Sequence, residues 1–198
     1  MQEKIQIISD GSLDLSRELT RERDILVVPF YVSFDGETYL KEGVELDIRE
    51  FYQRMVDHPD VFPKTSMPSV DDYYQVFLPL AKQDVPMICI CITTKFSGSM
   101  QSATTARDMI LEEYPKARLT VIDAEINTVL QGLYVLEACR LRDLGWEYDR
   151  MVKRLLAIRE SGRIFFTIGN IDYLKHAGRI GKVMGIAGSA LEFKPLIS

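Results

Sequence analysis

The chain has little of what metal and redox chemistry require. Its 198 residues include only 2 histidines, 3 cysteines and 1 tryptophan. Neither His58 nor His176 has a cysteine or carboxylate at metal-ligand spacing, so no metal site is expected. Cys89 and Cys91 stand two apart in an apolar run; on a strand they share a face and bridge poorly. With Cys139 they read as buried free thiols of a reducing cytosol. Basic excess is also lacking. A net charge of -5 and a pI near 5.2 exclude sequence-independent nucleic-acid binding, which needs a cationic face. No apolar run reaches the roughly 20 residues that span a bilayer, so membrane contact is expected to be transient at most. The opening MQEKIQIISD has too short an apolar stretch for a signal peptide, and a cytoplasmic protein is expected. Neither GxGxxG nor GxxxxGK[ST] occurs, which weakens nucleotide binding, and there is no repeat or low-complexity linker.

What is present is ordinary globular composition: 46% hydrophobic residues and a mean hydropathy of -0.03. Short apolar runs alternate with longer amphipathic stretches. KIQIIS (4–9), ILVVPFYVSF (25–34), PMICICI (86–92) and RLTVID (118–123) read as strands. Asp35-Gly36 is a turn leading into ETYL. LDLSRELTRER reads as a helix capped by Ser12 or Asp14. Asp47 with Glu50, and Ser69 with Asp72, mark two further helix starts by capping-box spacing. SGSMQSATTARDMILEEY is a helix, and two more lie around Gly145 and Trp146. Strands separated by helices predict βαβ units. The expected fold is α/β: an N-terminal domain over 1–161, with a mostly parallel sheet flanked by helices, and the start of a second α/β domain over 162–198. GRIFFTIG and ALEFKPLIS read as its strands, with a short helix and glycine-rich loop between them. It ends on an apolar segment, as an interrupted domain would.

Three clusters are candidates for chemistry. In ITTKFSGSMQSA, Ser97, Gly98 and Ser99 stand where a strand ends and a helix begins, the edge at which open α/β sheets bind ligands. Free N–H groups there attract anions, hydroxyls add donors, and glycine admits close approach. A serine that only caps the helix is the plainer alternative. The segment lacks the flanking glycines of a nucleophile elbow, which argues against serine hydrolase chemistry. In FPKTSMPS, prolines bracket Thr65 and Ser66 and hold the stretch extended, though an ordinary loop would look the same. In KHAGRIGK, Arg179 can grip a phosphate or carboxylate, or simply lie solvated at a helix end. Asp10 and Asp123 close strands at the same edge; each is a possible general base or a helix cap.

Taken in order, SDGSLDL, KTSMPS, ITTKFSGSMQSA, VIDAE, YLKHAGRIG and LEFKPLI resemble the DegV family of bacterial fatty-acid-binding proteins, from near residue 5 to the end. The resemblance implies two α/β domains with one acyl chain in an apolar tunnel between them. It implies a non-catalytic carrier of the FakB type, with no cofactor beyond its bound long-chain fatty acid. The partner is a separate dihydroxyacetone-kinase-like fatty acid kinase, which converts the presented carboxylate to acyl phosphate. By resemblance, Thr65 or Ser66 and Ser97 donate to the carboxylate, helped by backbone N–H groups near Gly98 and Ser99, and Arg179 lies near the mouth toward the kinase. The chain departs from the family pattern at Gly11 and Ala124 (usually serine), Met67 (usually glutamine), Ser99 (usually threonine) and Ala177 (usually glycine). The family's histidine near a glycine-proline-glycine motif has no counterpart, since His58 and His176 do not fit it. The competing class is an enzyme acting on a small anionic metabolite at this edge, with Asp10 or Asp123 as base; an assembly subunit is a third.

Overall fold

The structure, a computed structural model, describes residues 4–167, 172–179 and 196–197. The chain opens with β1 (Gln6–Asp10), a 3-10 turn (Gly11–Leu13), α1 (Arg17–Glu22) and β2 (Ile25–Val28). Next come β3 (Tyr31–Ser33), β4 (Leu40–Lys41), α2 (Ile48–Asp57) and β5 (Lys64–Ser66). They are followed by α3 (Val70–Lys82), β6 (Met87–Cys91), α4 (Ser99–Glu113), β7 (Leu119–Asp123), α5 (Thr128–Asp143) and α6 (Tyr148–Ile158). Beyond these lie β8 (Phe166–Thr167), α7 (Asp172–His176) and β9 (Leu196–Ile197). Residues 180–195, which hold the end of the expected glycine-rich loop and most of the last strand, lie outside the described residues.

Contacts gather the chain into two compact units, Met1–Val28 with Met67–Gly162 and Pro29–Ser66 with Arg163–Ser198. Residues 29–66, expected within the first domain, therefore cluster with the second unit. The cause is visible at Pro29. Proline has no N–H for a ladder, so ILVVPFYVSF, expected as one strand, breaks into β2 and β3 in different sheets.

The first unit is a parallel sheet in the order β2-β1-β6-β7. Every residue of β1 and β6 is buried, as central strands covered on both faces must be. Side chains alternate between the two faces. Ile7, Ile88, Ile90 and Ile122 pack under α5 and α6 against Val135, Ala138, Met151 and Leu155. Ile8, Met87, Cys89, Cys91 and Val121 face α3 and α4, where Ala103 and Ala106 let α4 approach closely. The three cysteines are free and buried, with Cys89 Sγ 3.8 Å from Cys91 Sγ. The chain leaves β1 toward β2 on one side and β6 toward β7 on the other. The switch point therefore falls between the carboxyl ends of β1 and β6.

Helix starts follow local chemistry. The first helix begins later than expected: Ser16 caps it by accepting from Leu19 N–H, while Asp14 sits at φ 49° and Ser12 belongs to the 3-10 turn. Asp47 caps α2, and Ser69 with Asp72 forms the reciprocal capping box of α3. In the second unit, β4-β3-β5 form an antiparallel sheet with Val32 opposite Thr65, and β8 pairs antiparallel with β9.

Candidate functional site

The sheet edge of the first unit is built around one carboxyl group. Asp10, the last residue of β1, is fully buried. Its Oδ2 accepts from Ile92 N–H at 2.9 Å and from Ser99 Oγ at 2.8 Å. Its Oδ1 meets Gln131 Nε2 and Ser12 Oγ, both at 2.9 Å. Ser99 Oγ continues to Tyr73 OH at 2.6 Å, and Gln131 Nε2 also donates to Ser9 Oγ at 3.1 Å. Four parts of the chain converge here: the 3-10 turn, α3, the β6–α4 connection and α5. Burial pushes Asp10 above the ordinary carboxylate range, although its hydrogen bonds pull the other way.

This network fixes the turn in front of α4. Thr93 is buried, and its carbonyl accepts from Phe96 N–H at 3.0 Å and Ser97 N–H at 3.2 Å. Gly98 is the N-cap of α4 and supplies no side-chain cap, so the expected serine cap is absent at that position. Ser97 Oγ instead accepts Ser99 N–H from one residue outside, at 3.2 Å. Among the described residues no acceptor meets the Ser97 hydroxyl proton or Gly98 N–H. Both donors, at a helix N-terminus, are suited to an anion. A β-carbon on Gly98 would stand 2.7 Å from Met67 Sδ, so the thioether lies against the glycine. Met67 is 44% exposed.

The two serines thus differ. Ser97 is half-buried with its proton uncommitted, whereas Ser99 is fully buried and its hydroxyl is held between Asp10 and Tyr73. Asp123 serves its own loop, accepting from Thr94 Oγ at 2.7 Å and Glu125 N–H at 2.8 Å. Glu125 in that β7–α5 connection and the β-branched Thr128 that opens α5 adopt φ of 59° and 51°, a strained conformation.

In the second unit, Thr65 and Ser66 lie exposed on β5. Arg179 turns back on the end of α7, its Nη1 donating to the Ala177 carbonyl at 2.5 Å beside Gly178 at φ 71°. His176 stacks on Phe62 with centroids 3.9 Å apart. This unit also holds a cleft of about 560 Å³, with Val32, Phe34, Leu40 and Val61 as walls and Arg54 and His58 among its polar residues. None of the sequence-predicted donors lines it. Among the described residues, no three His, Cys, Asp or Glu side chains cluster as a metal site, and no helix is long and apolar enough to cross a membrane.

Tyr73 and Gln131 carry little functional signal in the sequence. Tyr73 keeps the helical period of α3 with Phe77 and looks like plain core. Gln131 left one signal, a polar residue on the otherwise apolar face of α5.

Comparison with known proteins matches this arrangement to one family. The model described as uncharacterised protein, DegV family, matches residues 4–198. The chain belongs to the DegV family. A DegV domain-containing protein of Caldanaerobacter subterraneus is 33% identical over 196 residues, covering 99% of this chain and 68% of that protein. A stearic acid-binding protein from Eubacterium ventriosum superposes with a TM-score of 0.91 at 45% identity, over 97% of this chain and 66% of that one. DegV of Bacillus subtilis, a fatty acid binding protein, gives a TM-score of 0.85 at 26% identity, over 98% and 67%. The chain thus spans about two thirds of the length of these DegV relatives.

Proposed function

We propose that the protein is a cytoplasmic carrier of a long-chain fatty acid. In this reading the carboxylate accepts from the Ser97 hydroxyl and Gly98 N–H, with Thr65 or Ser66 giving a further hydroxyl, while the acyl chain occupies an apolar tunnel. The observation that carries it is the start of α4, where two donors at a helix N-terminus meet no acceptor among the described residues. The stearic acid-binding relative at 45% identity supports the ligand class. Ser99 then acts from below, donating its N–H to Ser97 Oγ.

Energetics favour the same division of labour. At about 0.8 kcal/mol per buried CH₂, a sixteen-carbon chain contributes roughly 10 kcal/mol before ordering costs. Neutral donors need only orient the head group and satisfy its charge, since an unpaired buried carboxylate costs several kcal/mol. A carboxylate held without a salt bridge stays available for phosphoryl transfer. Presentation to a dihydroxyacetone-kinase-like fatty acid kinase is the step that rests on family resemblance alone. Arg179 is assigned to that kinase-facing mouth.

The enzyme reading requires a base that substrate can reach. Asp10 has the raised proton affinity but is fully buried under five hydrogen bonds. Asp123 is spent on Thr94 and Glu125. Mass spectrometry of an organic-solvent extract of purified protein tests the proposal, with Ser97→Ala alongside. Stoichiometric fatty acid in the wild type and less in the variant is the expected result; an empty wild-type extract from a full-length chain overturns it.

A further inference from the structure

The oxygens beneath the start of α4 outnumber the protons offered to them. Ser12 Oγ lies 2.5 Å from Gln131 Oε1 and 2.9 Å from Asp10 Oδ1. A serine hydroxyl has one proton and can serve one of these acceptors. If it goes to Gln131, the contact between Ser12 and Asp10 takes its proton from Asp10. Turning the Gln131 amide over does not remove the requirement. Its carbonyl oxygen would then face Asp10 Oδ1 across the 2.9 Å now spanned by Nε2, and Asp10 must again donate.

We propose that Asp10 is held as the neutral carboxylic acid, with its proton on Oδ1, and is the positioning residue on which the Ser97–Gly98 turn rests. Its surroundings support that state. Its partners are Ile92 N–H, Ser12 N–H and hydroxyl, the Gln131 amide and the Ser99 hydroxyl, with no cation among them. The titratable groups facing it are Tyr73 on α3 and Cys91, backed by Cys89, on β6. Burial holds Tyr73 in its neutral form, and the Cys89 contact does the same for Cys91. Among the described residues, the 3-10 turn, α4 and α5 give Asp10 hydrogen bonds from Ser12, Ser99 and Gln131 alone. Desolvation opposes charge on Asp10 itself. A buried carboxylic acid kept neutral to donate a hydrogen bond is an established device in proteins.

The consequence for the ligand rests on the fatty-acid reading. Ser99 joins Asp10 to the turn that would receive the head group, and an ionised Asp10 would repel that carboxylate. The neutral acid keeps the same partners, with one contact on Oδ1 reversed in direction, and removes the like charge.

Two measurements test the proton's place. Infrared spectra of protein labelled with ¹³C-carboxyl aspartate, wild type minus Asp10→Asn at pH 7, should show the C=O stretch of a protonated acid. A carboxylate band alone overturns the proposal. Urea unfolding of both proteins from pH 5 to 8 supplies a sign. A carboxyl whose folded pKa is raised stabilises below its unfolded pKa, and that contribution fades as pH rises toward the folded value. Wild-type stability should therefore fall relative to Asp10→Asn as pH rises; a relative gain overturns the proposal. Asparagine fits because its N–H replaces the acid proton once the Gln131 amide turns. Should that variant not fold, the acid band can be assigned in the wild type by its shift in Ser12→Ala; no shift overturns the assignment. Palmitate titrated into the same samples separates the two readings. Bound palmitate with Asp10 ionised overturns the proton placement alone. A neutral Asp10 in protein that binds no palmitate supports the placement while the carrier reading falls.

Discussion

Ser97 and Ser99 are identical in type and two apart in position, yet their surroundings differ. The hydroxyl cluster was legible in the sequence because small polar residues followed an uncharged strand. Which serine faces outward was not, because that depends on Asp10, 89 residues from Ser99, and on Gln131, 122 residues from Ser9. On the proposed reading, Ser97→Ala removes one hydrogen bond to the ligand carboxylate, worth about 1.5–3 kcal/mol. Palmitate titration should show roughly 10- to 100-fold weaker binding, in line with about 1.4 kcal/mol per decade. The variant should unfold in urea within about 1 kcal/mol of wild type, since only a cap-like bond to Ser99 N–H is lost. Gly98→Ala acts through Met67. Its new β-carbon would meet the flexible end of the thioether at 2.7 Å, and Gly98 φ of -83° suits alanine. The stability loss should stay near 1 kcal/mol, with palmitate binding several-fold weaker as Met67 is displaced beside the Ser97–Gly98 turn. Adding Met67→Ala should recover part of that binding; no recovery would remove Met67 from the site.

At the scale of elements, the periodicities located the strands and helices of the first unit, because each buries a continuous apolar face. They failed where a single residue overrode the pattern, as Pro29 did in splitting β2 from β3, and as Ser16 did in starting α1 late. They also could not show that α5 must touch the chain after β1. Gly132, fully inside α5, makes that contact possible. A β-carbon there would stand 2.4 Å from the Leu13 carbonyl oxygen and 2.8 Å from Leu15 Cδ2. Backbone cannot swing aside as a methionine can. Overpacking of this kind costs about 1–3 kcal/mol, and Gly132→Ala should reach the upper end or beyond. The same shift would pull Gln131 from Asp10, so palmitate affinity should drop along with the urea midpoint. A Gly132→Ala protein of wild-type stability would show that the turn after β1 is free to move.

For the whole molecule, fold class was readable from the order of elements, but the division into units was not. A segment that leaves one sheet, builds part of another unit and returns looks from sequence like a run of loops and short elements. Residues 29–66 do this, and Thr65 and Ser66 belong to a different unit from Ser97 and Gly98. The proposed donors therefore belong to different units, which makes their joint use testable by hydrogen exchange. A ligand at 100 times its Kd stabilises what it holds by about 2.7 kcal/mol, slowing exchange through opening of that part about 100-fold. With saturating palmitate, amides of β1, β6 and β7 should slow if Ser97 and Gly98 hold the head group. Amides of β5 and β3, paired through Val32 and Thr65, should slow by a similar factor only if Thr65 or Ser66 also donates. Slowing confined to the first unit would assign the carboxylate to Ser97 and Gly98 and take Thr65 and Ser66 out of the site. Slowing in both units that disappears from β5 in Thr65→Val but persists in Ser66→Ala would name Thr65 as the second hydroxyl.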